Sequence, residues 1–180
     1  MNNKFLIGVL TALLMLPVAS IAKEKVAKLV VVESVEIAAP REKVWGIVKD
    51  WDGLHHWHPA FSADVLKKGK NNTPLAIRTL TLRDGGATFD ETLDEFDAKR
   101  MYYNYRIIGD SPLPVTHYTA NISVKSGETK GTTVLTWQGS FRRKTIVDPP
   151  PEEDDEGVKK FISGAYRAGI DNVKKLAEAK

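Results

Sequence analysis

The sequence predicts an α+β domain: one strand, two short helices, six consecutive strands and a long closing helix. Three observations carry this. Six strand-like runs follow one another between Phe61 and Arg143 with turn residues between them, which favours hairpins and an antiparallel sheet. An apolar stripe at helical spacing then runs through Val158, Phe161, Ile162, Ala165, Ala168, Ile170, Val173 and Leu176, and such a helix covers the sheet's apolar face. Between Leu75 and Leu93, two alternating runs flank Asp84-Gly85, a preferred pair for a two-residue type I′ hairpin loop. With that loop, Leu82 faces Ala87, Leu80 faces Phe89, Arg78 faces Glu91 and Ala76 faces Leu93, all on one face. An apolar face thus carries an arginine directly opposite a glutamate. Buried charges are costly unless paired, so the pair either ties the sheet or lines a ligand cavity.

In chain order, the start stands outside the fold. Lys4 precedes an apolar run from Phe5 to Val18, followed by Ala19-Ser20-Ile21-Ala22. This reads as a secretory signal peptide over residues 1–22, cleaved after Ala22, with a single domain over residues 23–180. The implied location is the periplasm, with membrane contact only through the signal peptide before cleavage. The chain has no cysteine, which excludes a lipoprotein anchor, a disulfide and a thiolate site. Of 26 Lys+Arg against 23 Asp+Glu, the signal peptide takes one lysine. The near-neutral remainder, with no basic cluster interleaved with aromatics, argues against nucleic-acid binding.

Val26 to Ile37 is valine-rich and reads as the first strand. Pro40 suits the first position of a helix that buries Val44, Ile47, Val48 and Trp51. A second short helix is expected near Leu54, ending at His58-Pro59. The remaining strands are Phe61 to Lys67, the two hairpin strands, Arg100 to Ile108, His117 to Lys125 and Thr132 to Arg143. Pro149-Pro150-Pro151 is a stiff connector, and Glu152 to Glu156 favour the positive end of the last helix's dipole. Gly164 and Gly169 cost helix propensity, so close approach is expected there.

Several residues carry chemistry. Arg78 with Glu91 is a structural pair, a clamp for a polar ligand group, or a site where Glu91 acts as general base. Tyr103, Tyr105 and Tyr118 are core aromatics or pocket hydroxyls. His55, His56 and His58 fit no standard zinc spacing, so no metal is expected; surface exposure or packing against Trp57 is the simpler reading. His117 is the best-placed acid–base candidate but stands alone, with no nucleophile motif beside it. No dinucleotide or phosphate-binding fingerprint appears, and no cofactor is expected.

These segments together resemble a known superfamily. The carriers are Ile37-Ala38-Ala39-Pro40-Arg41-Glu42-Lys43-Val44-Trp45, Asp50-Trp51 with Trp57-His58-Pro59, Arg78 to Leu82, Phe89 to Leu93, Tyr105 to Gly109, Trp137 to Phe141, and Asn172 to Leu176. The chain resembles the START-like SRPBCC superfamily of polyketide cyclases, lipid-transfer domains and plant hormone receptors. The resemblance implies a helix-grip fold: a curved seven-stranded antiparallel sheet wrapped around the last helix, with a cavity between them. It implies an apolar or amphipathic small-molecule ligand. The cavity wall would include Arg78, Leu80, Leu82, Phe89, Glu91 and Tyr103. Glu91, Tyr105, Tyr118, Thr136 and Asn172 fall on pocket positions of the receptor-like members. Asp84, Gly85 and Gly86 match their first gate loop, and Pro112, Leu113 and Pro114 the second. The bulky gate residue is missing at Gly86, as is the arginine of the second gate. With a signal peptide, the pattern resembles the MxaD-like branch, associated with periplasmic methanol oxidation as an accessory to a quinoprotein dehydrogenase and its cytochrome. The alternatives are a cyclase/dehydratase-type enzyme using Glu91 or His117, and a protein-binding accessory with a filled core.

Overall fold

The computed structural model of the chain describes residues 26–179; the signal-peptide segment lies outside the described residues. The strands are β1 (Leu29–Ile37), β2 (Phe61–Lys68), β3 (Ile77–Leu82), β4 (Thr88–Asp97), β5 (Tyr102–Ile108), β6 (Val115–Ser126) and β7 (Thr133–Arg143). The helices are α1 (Arg41–Val48), α2 (Leu54–Trp57) and α3 (Asp155–Glu178), with a 3₁₀ turn at Trp51–Gly53 before α2. The strands form one curved antiparallel sheet in the order β1-β7-β6-β5-β4-β3-β2. β2 through β7 form a meander, and β1 returns beside β7 with Ile37 opposite Thr133. This is the α+β helix-grip arrangement that the sequence implies.

α3 starts cleanly because the Asp154 side chain accepts hydrogen bonds from the backbone N–H groups of Glu156 and Gly157 at 2.9 and 2.7 Å. Its inward stripe is Val158, Ile162, Tyr166, Ile170, Val173 and Ala177, packed chiefly on β1, with α1 and β7 beside it. Phe161 and Leu176, expected on that stripe, are 46% and 44% exposed. The buried row advances by three and four residues and passes through Tyr166 instead. Gly169 is where close approach is needed: an added Cβ would lie 2.6 Å from His58 Cδ2 and 2.9 Å from Trp137 Cζ3. Gly164 meets nothing within 4 Å, so no neighbour accounts for it.

Strand ends move for backbone reasons. β3 begins at Ile77 because Leu75 is left-handed (φ 70°), and β5 begins after the left-handed Met101 (φ 52°). α1 stops at Val48, so Trp51 belongs to the 3₁₀ turn, and Pro40 is the N-cap with ψ 148°.

The opening hairpin keeps its expected register and loses its expected turn. Arg78 pairs with Glu91 and Leu80 with Phe89, and Leu82 N–H donates to the Ala87 carbonyl at 2.8 Å. The loop spans Arg83 to Gly86, and the left-handed residues are Gly85 (φ 78°) and Gly86 (φ 65°). Asp84 has no positive φ, so this is not a type I′ turn centred on Asp84-Gly85. Arg83 is drawn towards β2 and away from Gly86. Its N–H donates to Ala60 at 2.8 Å, and its guanidinium donates to the Pro59 and Phe61 carbonyls, both at 2.9 Å.

Candidate functional site

The apolar face of the sheet, α2 and the first half of α3 enclose a cavity of about 90 Å³. Of the residues expected there, Leu82, Phe89, Glu91, Tyr105, Tyr118 and Leu113 line it. Phe161, Ile162, Ala165 and Tyr166 close it from α3, and His58, Phe61 and Trp137 complete its walls. The volume is well below the roughly 300 Å³ at which ligand pockets begin. The roomy cavity expected from the fold is therefore not present, because aromatic rings fill it. Trp137 stacks on Tyr166 with centroids 4.5 Å apart, Trp57 meets Trp137 edge-on at 5.6 Å, and Phe61 lies 6.2 Å from Phe89.

Beneath the cavity sits a buried ion group. Arg78 is 2% exposed. Its Nε and Nη2 donate to Glu91 Oε2 at 3.0 and 2.7 Å. Its Nη1 donates to Asp64 Oδ2 at 3.2 Å and to the Trp51 carbonyl at 2.5 Å. The guanidinium lies 3.6 Å above the Trp51 ring. Asp64 Oδ2 also accepts the Leu54 N–H at 3.0 Å, which ties α2 to the pair. Two carboxylates therefore share one guanidinium. Burial raises the pKa of both Asp64 and Glu91, against the pull of Arg78.

Asp64 was not anticipated. A bulge between Phe61 and Ala63 reverses the alternation of β2, turning Asp64 inward and leaving Val65 59% exposed. The apolar stripe read from the sequence passes through Phe161 and omits Tyr166, although the Val158–Ile162 spacing points to it.

The cavity's polar floor is a row of hydroxyls. Trp137 Nε1 donates to Tyr105 Oη at 2.9 Å; Tyr105 and Tyr118 hydroxyls are 3.4 Å apart, and Tyr118 and Tyr166 hydroxyls 2.7 Å apart. Burial pushes all three phenols above their usual pKa. His58 forms a side wall. Its Nδ1 accepts the Ala60 N–H at 3.2 Å, so Nε2 carries the proton and donates to the Ala165 carbonyl at 3.0 Å. Burial, with the Arg78 charge adding to it, lowers its pKa to about 4. Its ring packs on Trp57, as the sequence suggested, but also edge-on against Trp137 at 5.5 Å.

Several expected residues lie elsewhere. Arg78, Leu80 and Tyr103 are buried behind the cavity; Tyr103 packs on Trp45 and Trp51. Thr136 is on the opposite face of the sheet, with its hydroxyl 2.9 Å from that of Ser34, because the inward positions of β7 are Leu135 and Trp137. Asn172 donates to the Trp57 carbonyl at 2.8 Å and braces α2 against α3. His117 sits exposed and left-handed (φ 52°) in the bulge of β6 between Thr116 and Thr119, its ring turned to the Thr116 hydroxyl. It does not line the cavity that Glu91 lines. In the gate loops, Leu113 reaches the cavity mouth, whereas Asp84, Gly85, Gly86 and Pro112 are exposed and Pro114 is half-buried without lining it. Among the described residues no cluster of histidine and carboxylate side chains could hold a metal ion.

Residues 28–178 match the family model described as polyketide cyclase / dehydrase and lipid transport. No curated protein matches the chain. Solved structures do. An uncharacterised Bacillus thuringiensis protein aligns with TM-score 0.71 and 28% identity over 84% of this chain and 100% of its own. XoxI from Bacillus cereus aligns with TM-score 0.70 and 29% identity over 82% of this chain and 94% of its own. The Zhui aromatase/cyclase from Streptomyces sp. R1128 aligns with TM-score 0.69 over 84% of this chain and 94% of its own; at 20% identity it is similar in fold alone.

Proposed function

Because the chain belongs to the polyketide cyclase / dehydrase and lipid transport family, of the SRPBCC type, we propose that it is an exported binding protein for a small, mostly apolar molecule. The observation that carries this reading is the cavity itself: aromatic walls, a mouth between Leu82, Leu113 and Phe161, and a floor of tyrosine hydroxyls beside Glu91. At about 90 Å³ it is smaller than the roughly 150 Å³ that accommodates one benzene ring. A ligand therefore enters by swinging Phe161 and Leu113 outward. Phe161 is half-exposed, so its rotation gives up little packing. Export rests on the leader at residues 1–22, and the working location we propose is the periplasm. There the protein would serve as an MxaD-like accessory to an alcohol-oxidising quinoprotein dehydrogenase or its cytochrome.

The filled cavity favours one second reading, a protein-binding accessory with no small ligand. A catalytic role is less well supported, since His117 is outside the cavity and Glu91 is held by Arg78. Native mass spectrometry of the protein recovered from its own host separates the two. A bound mass that leaves on denaturation supports the small-molecule reading; a bare chain from several growth conditions overturns it. Amino-terminal sequencing of the same sample should begin at Lys23; retention of Met1 would overturn the export reading.

A further inference from the structure

We infer that the cavity selects neutral ligands whose buried end is an amide, carbonyl or hydroxyl, and rejects carboxylates and phosphates. This rests on the binding reading above and adds the ligand's chemistry.

The charges decide it. An anionic end group buried away from water needs a cation or a set of free donors. No lysine or arginine lines the cavity among the described residues. Arg78 lies behind the wall with its guanidinium already committed to Glu91, Asp64 and the Trp51 carbonyl. Those two carboxylates face a single guanidinium, so the buried group carries no positive surplus. Either it is net negative, or it holds one proton and is neutral. Of its members, Glu91 is the one at the cavity surface. The imidazole that could supply a second cation has both nitrogens bonded to backbone, at Ala60 and Ala165. An incoming carboxylate would meet the Glu91 carboxyl with nothing to offset it.

The hydroxyls fit a neutral acceptor instead. Three phenols bring three protons. The contacts Tyr105–Tyr118 and Tyr118–Tyr166 use two, and Tyr105 accepts from Trp137. One O–H of the row is left over and can donate to a carbonyl or hydroxyl oxygen. Glu91 is then an acceptor for a donor on the same ligand. A primary amide or an alcohol satisfies both.

Benzamide and benzoate test this directly, because they share shape and differ in charge. Binding is followed at pH 7 by NMR shifts of the Trp137 indole N–H and of Tyr118 in the full chain. The expected result is benzamide binding at least tenfold tighter than benzoate. In Glu91→Gln the gap should close to about threefold, through a gain in benzoate affinity. Benzoate within threefold of benzamide on the unaltered protein overturns the inference while leaving the binding reading intact. An unchanged preference in a folded Glu91→Gln also overturns it. If that variant does not fold, the comparison on the unaltered protein decides alone. If neither ring nor any other neutral single-ring probe binds, the binding reading falls and this inference falls with it.

Discussion

Glu91 and Arg78 face each other across β4 and β3, and a single carboxylate oxygen, Glu91 Oε2, accepts from both Nε and Nη2 of the guanidinium at 3.0 and 2.7 Å. The arrangement is asymmetric, because Asp64 also leans on Arg78. Removing the arginine strands two buried carboxyls; removing one carboxylate leaves the arginine a partner. Arg78→Met should therefore cost about 3–5 kcal/mol of unfolding free energy, and Glu91→Gln about 1–3 kcal/mol. Urea denaturation of both variants checks the order. A Glu91→Gln loss equal to that of Arg78→Met would mean that Asp64 does not share the charge.

The two glycines of α3 should respond with opposite sign. Gly169→Ala places a methyl against His58 and Trp137 at 2.6 and 2.9 Å, and both rings are wedged in the core. Overpacking of this kind costs about 1–3 kcal/mol. Gly164→Ala meets open space and should gain up to about 1 kcal/mol from helix propensity. Thermal melts of the two single variants suffice. A stabilised Gly169→Ala would show that the His58 ring moves aside freely.

Much of this was legible in the sequence, and the reasons for the rest are specific. The succession of strands, the hairpin register and the Arg78–Glu91 pair follow from alternation and turn residues, which are local. The inward turn of Asp64 follows from a bulge, and a one-residue bulge reverses which side chains face the core without leaving a trace in composition. At Arg83 to Gly86 the sequence carries a strong local signal, Asp84-Gly85, for a turn that the chain does not make. A tertiary contact overrides it: Arg83 bonds to the carbonyls of Pro59, Ala60 and Phe61 at the start of β2. The sequence leaves His58 either at the surface or packed on Trp57, and its role as a cavity wall depends on Ala165 and Gly169, more than a hundred residues away in sequence. The collapse of the cavity depends on how Trp57, Trp137 and Tyr166 interlock, which no single segment encodes.

His58 predicts an acid sensitivity. Its folded pKa is depressed from 6.5 to about 4, first by burial. Between those values the unfolded chain binds a proton that the folded chain refuses. Stability from this group is therefore fully present above about pH 6.5 and is lost as pH falls towards 4, by up to about 3 kcal/mol. Asp64 and Glu91, with raised pKa values, act in the opposite sense: their contribution is present at low pH and lost as pH rises through their folded pKa values. Comparison with His58→Gln at each pH removes that background. The difference in unfolding free energy between the two proteins should shrink from pH 7 to pH 4; a constant difference would show that the imidazole titrates normally.

Gly139 and Tyr166 should be energetically coupled. Gly139 lies mid-strand in β7, between Ala120 of β6 and Val31 of β1. A Cβ there would fall 2.0 Å from the Tyr166 hydroxyl and 3.1 Å from its Cζ. Glycine inside a strand weakens it unless something must approach closely, and here the phenol does. Gly139→Ala should displace the hydroxyl, break its 2.7 Å bond to Tyr118 and cost about 1–3 kcal/mol. Tyr166→Phe alone leaves the Tyr118 hydroxyl only its 3.4 Å contact to Tyr105, for a cost of about 1–3 kcal/mol. Removing the hydroxyl also removes the closest clash, so the double variant should be more stable than the sum of the single losses implies, by about 1 kcal/mol or more. Chemical denaturation of the four proteins gives this cycle. Additive losses would mean that the ring backs out of the sheet as a unit, and the hydroxyl row along the cavity floor would then not be what holds Tyr166 in place.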